Sequence, residues 1–178
     1  MARYWIGVAS RDHVQRGAAG GFCQLCHGKA QPLKRMKAGD WIAYYSGKER
    51  MDDDIPCRRF TAIGQVVGPQ PYLVDMGGGF VPHRLDVRFE PAREVEILPL
   101  LEQLSFIPDK KRWGYPFRYG HLEVPQADFE VIARAMLGEN ADERLRQAPS
   151  PDGNGSSPLP AHPVAAQQQE LFERRRMG

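Results

Sequence analysis

At 178 residues, with 42% hydrophobic and 26% charged residues, the chain has room for one domain with a real core plus an appendage. A formal net charge of +2 is too mild for a dedicated electrostatic binder of nucleic acid, so any such function rests on where the charges lie. Three cysteines suit a reducing compartment better than a disulfide framework, Met1–Val8 lacks the pattern of a secretory signal, and no apolar run approaches a membrane span, so a cytoplasmic location is expected.

Tyr4 to Ala9 is short, aromatic and β-branched and predicts a first strand ending at Ser10. Asp12 to Gly17 predicts a short helix capped by Ser10 or Asp12. Met36 to Asp40 is a turn that opens a second strand over Trp41–Ser46. Lys48 to Asp54 alternates charge without an apolar face and reads as an exposed loop. Its Asp52-Asp53-Asp54 run could meet a divalent ion, but consecutive acids point different ways, and a solvated loop is the favoured reading. Phe60 to Val67 predicts a third strand, with Gly64 marking a bulge or a bend. After a Gly77-Gly78-Gly79 hinge come two close strands, Arg84–Phe89 and Glu94–Leu98. Pro99 opens a helix over Leu100, Leu101 and Leu104. Pro125 starts a last one, whose Phe129, Ile132, Ala133 and Met136 recur at helical spacing.

The composition breaks near Gly138. Residues 139–178, rich in Pro, Ser and Gln and ending in Arg174-Arg175-Arg176, are expected to be a disordered tail with a basic end. The body, 1–138, is therefore α+β: short strands and a few helices making a small curved sheet or partly closed barrel.

Two stretches carry chemistry. The first is Gly20-Gly21-Phe22-Cys23-Gln24-Leu25-Cys26-His27-Gly28, closed by Lys29. Its Cys-x-x-Cys-His letters match a covalent haem signature, and Cys23, Cys26 and His27 with Cys57 or His83 could make a zinc set. A chain that is not exported does not suit haem, and a second tight ligand pair for zinc is missing. The favoured reading makes the thiols apolar packers and the loop a polar-aromatic grip for something flat. The second stretch, Asp109 to Gly120, interleaves Lys110, Lys111, Arg112 and Arg118 with Trp113, Tyr115, Phe117 and Tyr119. Cations meet phosphates and ring faces stack bases; equally, Trp113 and Phe117 could be core with a solvated basic rim. No hydrolase elbow, zincin motif or P-loop is present.

The order and spacing of several pieces resemble the EVE domain, a PUA-like relative of the YTH readers of methylated adenine in RNA. These pieces are Tyr4-Trp5-Ile6 with Ser10, Gly21 to Gln24 through Gly28-Lys29, Lys37-x-Gly39-Asp40 and Tyr44-Tyr45-Ser46. They continue with Phe60 to Gly64, Asp86 to Phe89 and Leu104-x-Phe106-Ile107-x-x-Lys110-x-Arg112-Trp113-Gly114. The resemblance covers nearly all of 2–137. It implies a PUA-like barrel with flanking helices, no cofactor or metal, no catalysis, and a pocket for a modified base in DNA or RNA. Carried onto this chain, it implies a hydroxyl from Ser10 at the pocket floor and a wall from Gly21, Phe22, Cys23 and Gln24. Trp113 would be a second stacking surface or the support of the basic loop, Phe117 would join the ligand-binding residues, and Lys29, Arg112 and Arg118 would hold flanking phosphates. A sensor of a free modified nucleoside, or an accessory domain of an RNA-modification activity, would use the same pocket. Oligomeric state is not legible.

Overall fold

The structure, a computed structural model, describes residues 1–149. Its elements are β1 (Tyr4–Val8), α1 (Arg11–Gly20), β2 (Phe22–Cys23), α2 (Ala30–Lys34), β3 (Trp41–Lys48), β4 (Pro56–Val66), β5 (Tyr72–Leu73), β6 (His83–Phe89), β7 (Val95–Glu96), β8 (His121–Glu123), α3 (Gln126–Leu137) and α4 (Ala141–Arg146). The strands form one curled, open sheet in the order β2-β6-β4-β3-β1-β8, with β5 added beside β6 and β7 beside β4. Four helices flank it, which makes the fold α+β and PUA-like. Among the described residues only β1 and β3 pair in parallel, Tyr4 opposite Trp41 through Val8 opposite Tyr45, and α1, β2 and α2 make the crossover between them.

β1 and β3 are the centre of the molecule because both faces are covered. Trp5, Ile6, Trp41, Ile42 and Ala43 are fully buried, as near-continuous apolar strands require. On one face Tyr4, Ile6, Trp41, Tyr45, Phe60 and Ile63 meet α3 and the 97–117 segment through Leu104, Ile107, Phe117, Phe129 and Ile132. On the other, Trp5, Ile42, Tyr44, Val66, Leu85 and Val87 meet Val14 of α1, Leu33 of α2, and Cys23 and Leu25 of the stretch between them. Buried Asp40 ties the strand starts together, accepting from the backbone N–H groups of Arg3 (2.9 Å) and Lys37 (3.0 Å) and from Trp5 Nε1 (3.1 Å).

The predicted strands and last helix are present, with differences that have local causes. α1 runs on to Gly20, where Gly21 caps it in the left-handed region (φ 71°). Ser10 is its N-cap residue, but the hydroxyl donates to Asp12 Oδ1 (2.6 Å) rather than capping a backbone group. Gly64 is not the bulge. The register slips between Tyr44 and Tyr45, whose partners are Ala62 and Phe60, so the extra residue is Thr61. Gly64 instead lets β6 close in, since a β-carbon there would stand 2.7 Å from Arg88 O. The helix expected after Pro99 is a 3-10 turn, Leu98–Gln103. It is held from outside: Lys110 Nζ donates to Leu101 O and Leu104 O (2.7 Å each), and buried Asp128 accepts from Ser105 Oγ and Phe106 N.

The expected tail does not open at residue 139. α4 packs on α3 with Ala141 fully buried, and Arg144 reaches the Glu90 carboxylate at 2.6 Å. Asp142 pairs with Arg134 of α3 at 3.0 Å and Leu145 packs on the core, so two small or apolar side chains and two ion pairs dock a segment whose composition alone shows no apolar face. The rest of that predicted tail, 150–178, lies outside the described residues.

Candidate functional site

The site is built by strand alternation. β2 pairs antiparallel with β6, Phe22 opposite Asp86 and Cys23 opposite Leu85. Successive side chains point to opposite faces, so Cys23 and Leu85 enter the core while Phe22, then Gln24, share the outer face with Arg84. Facing them across a cleft of about 200 Å³ is α1, which contributes His13, Arg16 and Gly17. Tyr44 and Val14 lie at the bottom, and Met76 and Phe80 stand at the rim. Those two flank the Gly77-Gly78-Gly79 run, the tip of a hairpin closed by Met76 N–H to Phe80 O at 2.9 Å.

The Phe22 ring seats against α1, where β-carbons at Gly17 and Gly20 would come within 3.9 and 2.5 Å of it. The Arg84 guanidinium lies over the ring, its Cζ 3.7 Å from the centroid. Arg84 Nε donates to Gln24 Oε1 at 3.2 Å, and Nη2 to Met76 Sδ at 2.9 Å. Gln24 is fixed from below: its N–H donates to Tyr44 Oη (3.2 Å), and that hydroxyl donates to Gln24 O (3.3 Å). Burial pushes the Tyr44 phenol well above its usual range, so it stays neutral. Burial likewise lowers the Arg84 pKa. Arg16 pairs with Asp12 at 3.0 Å, yet among the described residues no carboxylate lines the cleft itself. The recess thus offers a ring face, an amide edge and two arginines.

Of the predicted site residues, Phe22 and Gln24 line this cleft. The others do not. The Ser10 side chain is buried and turned to Asp12. Gly21 is a helix cap whose carbonyl accepts from Val87 N–H (2.9 Å). Cys23 is fully buried, its thiol pushed up to about 12 by loss of solvent, so it is an inert packer. Lys29 is exposed and precedes α2. Cys26 and His27 sit in the left-handed region (φ 48° and 60°), in a turn against Pro82, where a β-carbon on Gly28 would collide.

The Asp109–Gly120 segment belongs to the other face of the sheet. Phe117 is buried and stacks on Tyr45 at 4.0 Å, and Trp113 meets both rings edge-on, at 6.3 and 6.5 Å. Neither Trp113 nor Phe117 therefore makes a second wall opposite Phe22. The rings left in solvent are Tyr115 (55% exposed) and Tyr119 (65%), beside exposed Arg112 and Arg118, with Arg118 Cζ 5.5 Å from the Tyr115 ring.

Sequence reasoning missed Tyr44, Met76, Phe80, Arg84, His13 and Arg16 as lining residues. A signal existed for Arg84: in His83-Arg84-Leu85-Asp86-Val87 the buried residues alternate, which puts Arg84 on the face opposite Leu85 and Val87. No local signal brings α1 or the Met76–Phe80 hairpin to that face.

Comparison with known proteins bears on the fold and the family. The model of the EVE domain matches residues 3–135. A UPF0310 protein from the gntR 5' region of Bacillus licheniformis is 50% identical over 128 residues, covering 72% of this chain and 87% of the relative. The UPF0310 protein YdcG of Bacillus subtilis is 46% identical over 133 residues, covering 75% and 91%. Among solved structures, the YTH domain of the Zygosaccharomyces rouxii MRB1 protein, in complex with N6-methyladenosine RNA, superposes with a TM-score of 0.50 at 18% identity. That likeness covers 74% of this chain and 84% of the other. The chain belongs to the EVE domain family.

Proposed function

We propose that this protein binds nucleic acid through a modified base turned out of its strand and received in the Phe22 cleft. The observation that carries this reading is the joining, in one recess of about 200 Å³, of an aromatic face, an amide edge and two arginines with no lining carboxylate among the described residues. Each part has a use. Stacking on an aromatic ring contributes about 1–3 kcal/mol per base, on the scale of the few kcal/mol that unstacking costs. The Gln24 amide reads a polar edge, and the arginines meet the flanking phosphates, as planar guanidinium groups do well. A methyl group on the base adds about 0.8 kcal/mol of buried apolar surface, roughly fourfold in affinity.

Membership of the EVE family and the fold shared with an RNA-bound YTH domain support a base-binding role. The reading needs no reaction: the phenol at the bottom of the cleft is held neutral and serves to fix Gln24. The test is anisotropy of the full chain with single- and double-stranded DNA and RNA probes bearing a central plain, methylated or hydroxymethylated cytosine or adenine. Tighter binding of one modified probe, lost in Phe22→Ala, is the expected result. Equal affinity for every probe, unchanged in Phe22→Ala, would overturn it.

A further inference from the structure

We propose that Arg84 is a placeholder for the base: it holds the cleft-facing side of Phe22 and yields it to a planar ring bearing an exocyclic amino group. This deepens the reading above and rests on it. The geometry leaves little choice. Phe22 is backed by Gly17 and Gly20 of α1, and the guanidinium lies 3.7 Å from the centroid of the ring. A base that stacks there needs the place Arg84 now holds. A guanidinium, flat and rich in N–H donors, imitates an amino-bearing base in shape and in hydrogen bonding.

Gln24 says which edge is imitated. Arg84 only donates, so the bond at 3.2 Å requires the amide oxygen, not its nitrogen, to face the ring's ligand. The two hydrogen bonds to Tyr44 hold the Gln24 backbone in place. An acceptor presented there meets the amino N–H of cytosine or adenine and opposes the carbonyl oxygen of uracil or thymine.

Arg84 is also lightly held. Its second contact is a thioether, a weak acceptor, and among the described residues no carboxylate pairs with it. A half-buried cation without an anion gains by moving to a phosphate. The exchange therefore couples two events: the ring enters as the cation swings to the backbone. A free nucleoside offers no phosphate and must displace Arg84 without that return. Its apparent affinity is reduced by the fraction of time Arg84 covers the ring.

The experiment is calorimetric titration of the full chain and its Arg84→Ala, Arg84→Lys and Phe22→Ala variants. The probes are cytidine, 5-methylcytidine and uridine, and single-stranded oligonucleotides carrying the same central bases, at several salt concentrations. Arg84→Ala should bind cytidine and 5-methylcytidine several-fold more tightly and uridine no better. With the oligonucleotides it should lose affinity, its log–log salt slope falling by about one. Arg84→Lys, a cation without a plane, should show the nucleoside gain and keep the slope. Weaker nucleoside binding in Arg84→Ala would make Arg84 a stacking partner that stays, and would overturn the proposal; so would uridine matching cytidine. Binding that depends on Phe22 but ignores Arg84 would remove the placeholder and leave the base-binding reading. Absence of binding to every probe by every variant would remove both.

Discussion

The Phe22 cleft and the Asp109–Gly120 segment are made of the same kinds of residue, rings beside cations, and the fold uses them in opposite ways. In the segment the structure spends most of them on itself. Phe117 and Trp113 pack on Tyr45, Lys110 ties up two carbonyls, and Asp109 accepts from Lys111 and Arg112 N–H groups to cap its own turn. In the cleft one ring keeps its face toward a recess, with only a lightly held guanidinium on it. Tyr44 and Tyr45, neighbours on β3, mark the divide. Tyr44 belongs to the cluster under the cleft, and Tyr45 to the one that receives Trp113 and Phe117. Residue type does not separate a ring that faces a cleft from a ring that packs; strand parity does.

Substitutions on either side put that contrast to the test. The largest effect belongs to the packing side: Phe117→Ala should cost about 3–5 kcal/mol of stability, as truncation of a buried aromatic does, read by urea unfolding. Base preference in the folded fraction should survive it. Loss of preference at unchanged stability would join the segment to the site.

Next comes pH, through His121, which follows the segment on β8. It is buried and stacked on Trp5 at 4.7 Å, and neither ring nitrogen has a hydrogen-bond partner. Burial, helped by nearby Arg35 and Arg3, lowers its pKa from 6.5 to about 4. Below pH 6.5 the unfolded chain takes up a proton that the folded one refuses. The contribution is therefore complete above that pH and is lost as pH falls toward 4. The loss is on the order of 3 kcal/mol from the size of the shift. His121→Phe keeps the stack and removes the titration; as pH falls from 6.5 toward 4 the stability difference between the two proteins should move in the variant's favour by on the order of 3 kcal/mol, with the variant's curve the flatter.

On the binding side, Phe22→Ala should lose about 1–3 kcal/mol of affinity for the preferred probe, while the unfolding midpoint moves far less than in Phe117→Ala. The smallest effects belong to the solvent-facing cations. Lys111→Ala, Arg112→Ala and Arg118→Ala should leave stability unchanged and base preference intact. At most, each lowers the salt slope of binding by about one if its cation meets a phosphate. A change in which base is preferred would place that residue at the cleft and erase the contrast.

Much of this was legible from the chain. β1, β3, β4 and β6 announce themselves by apolar runs or alternation, α3 by its spacing, and the family by ordered motifs spread over the body. β2 and β5 were not legible, being two-residue strands. Strands that short carry no period and exist because a longer partner supplies their hydrogen bonds. β8, at three residues, is defined in the same way by pairing with β1. α4 was hidden for a related reason: besides Ala141, Leu145 and the Asp142 pair with Arg134, its docking uses Arg144 finding Glu90, fifty-four positions away in sequence.

For the site, the sequence alone named Phe22 and Gln24 and the kind of ligand a ring beside an amide would suit. It also placed Ser10, Cys23 and Trp113 there, because motif order records proximity along the chain and not the direction of a side chain. Direction is set when strands pair: one step along β2 separates a ring facing the cleft from a thiol sealed in the core. The placing of Arg84 on Phe22, sixty-two positions apart, was decided only by tertiary structure, since the β2–β6 register that joins them is fixed by burial of Cys23 and Leu85 on the opposite face.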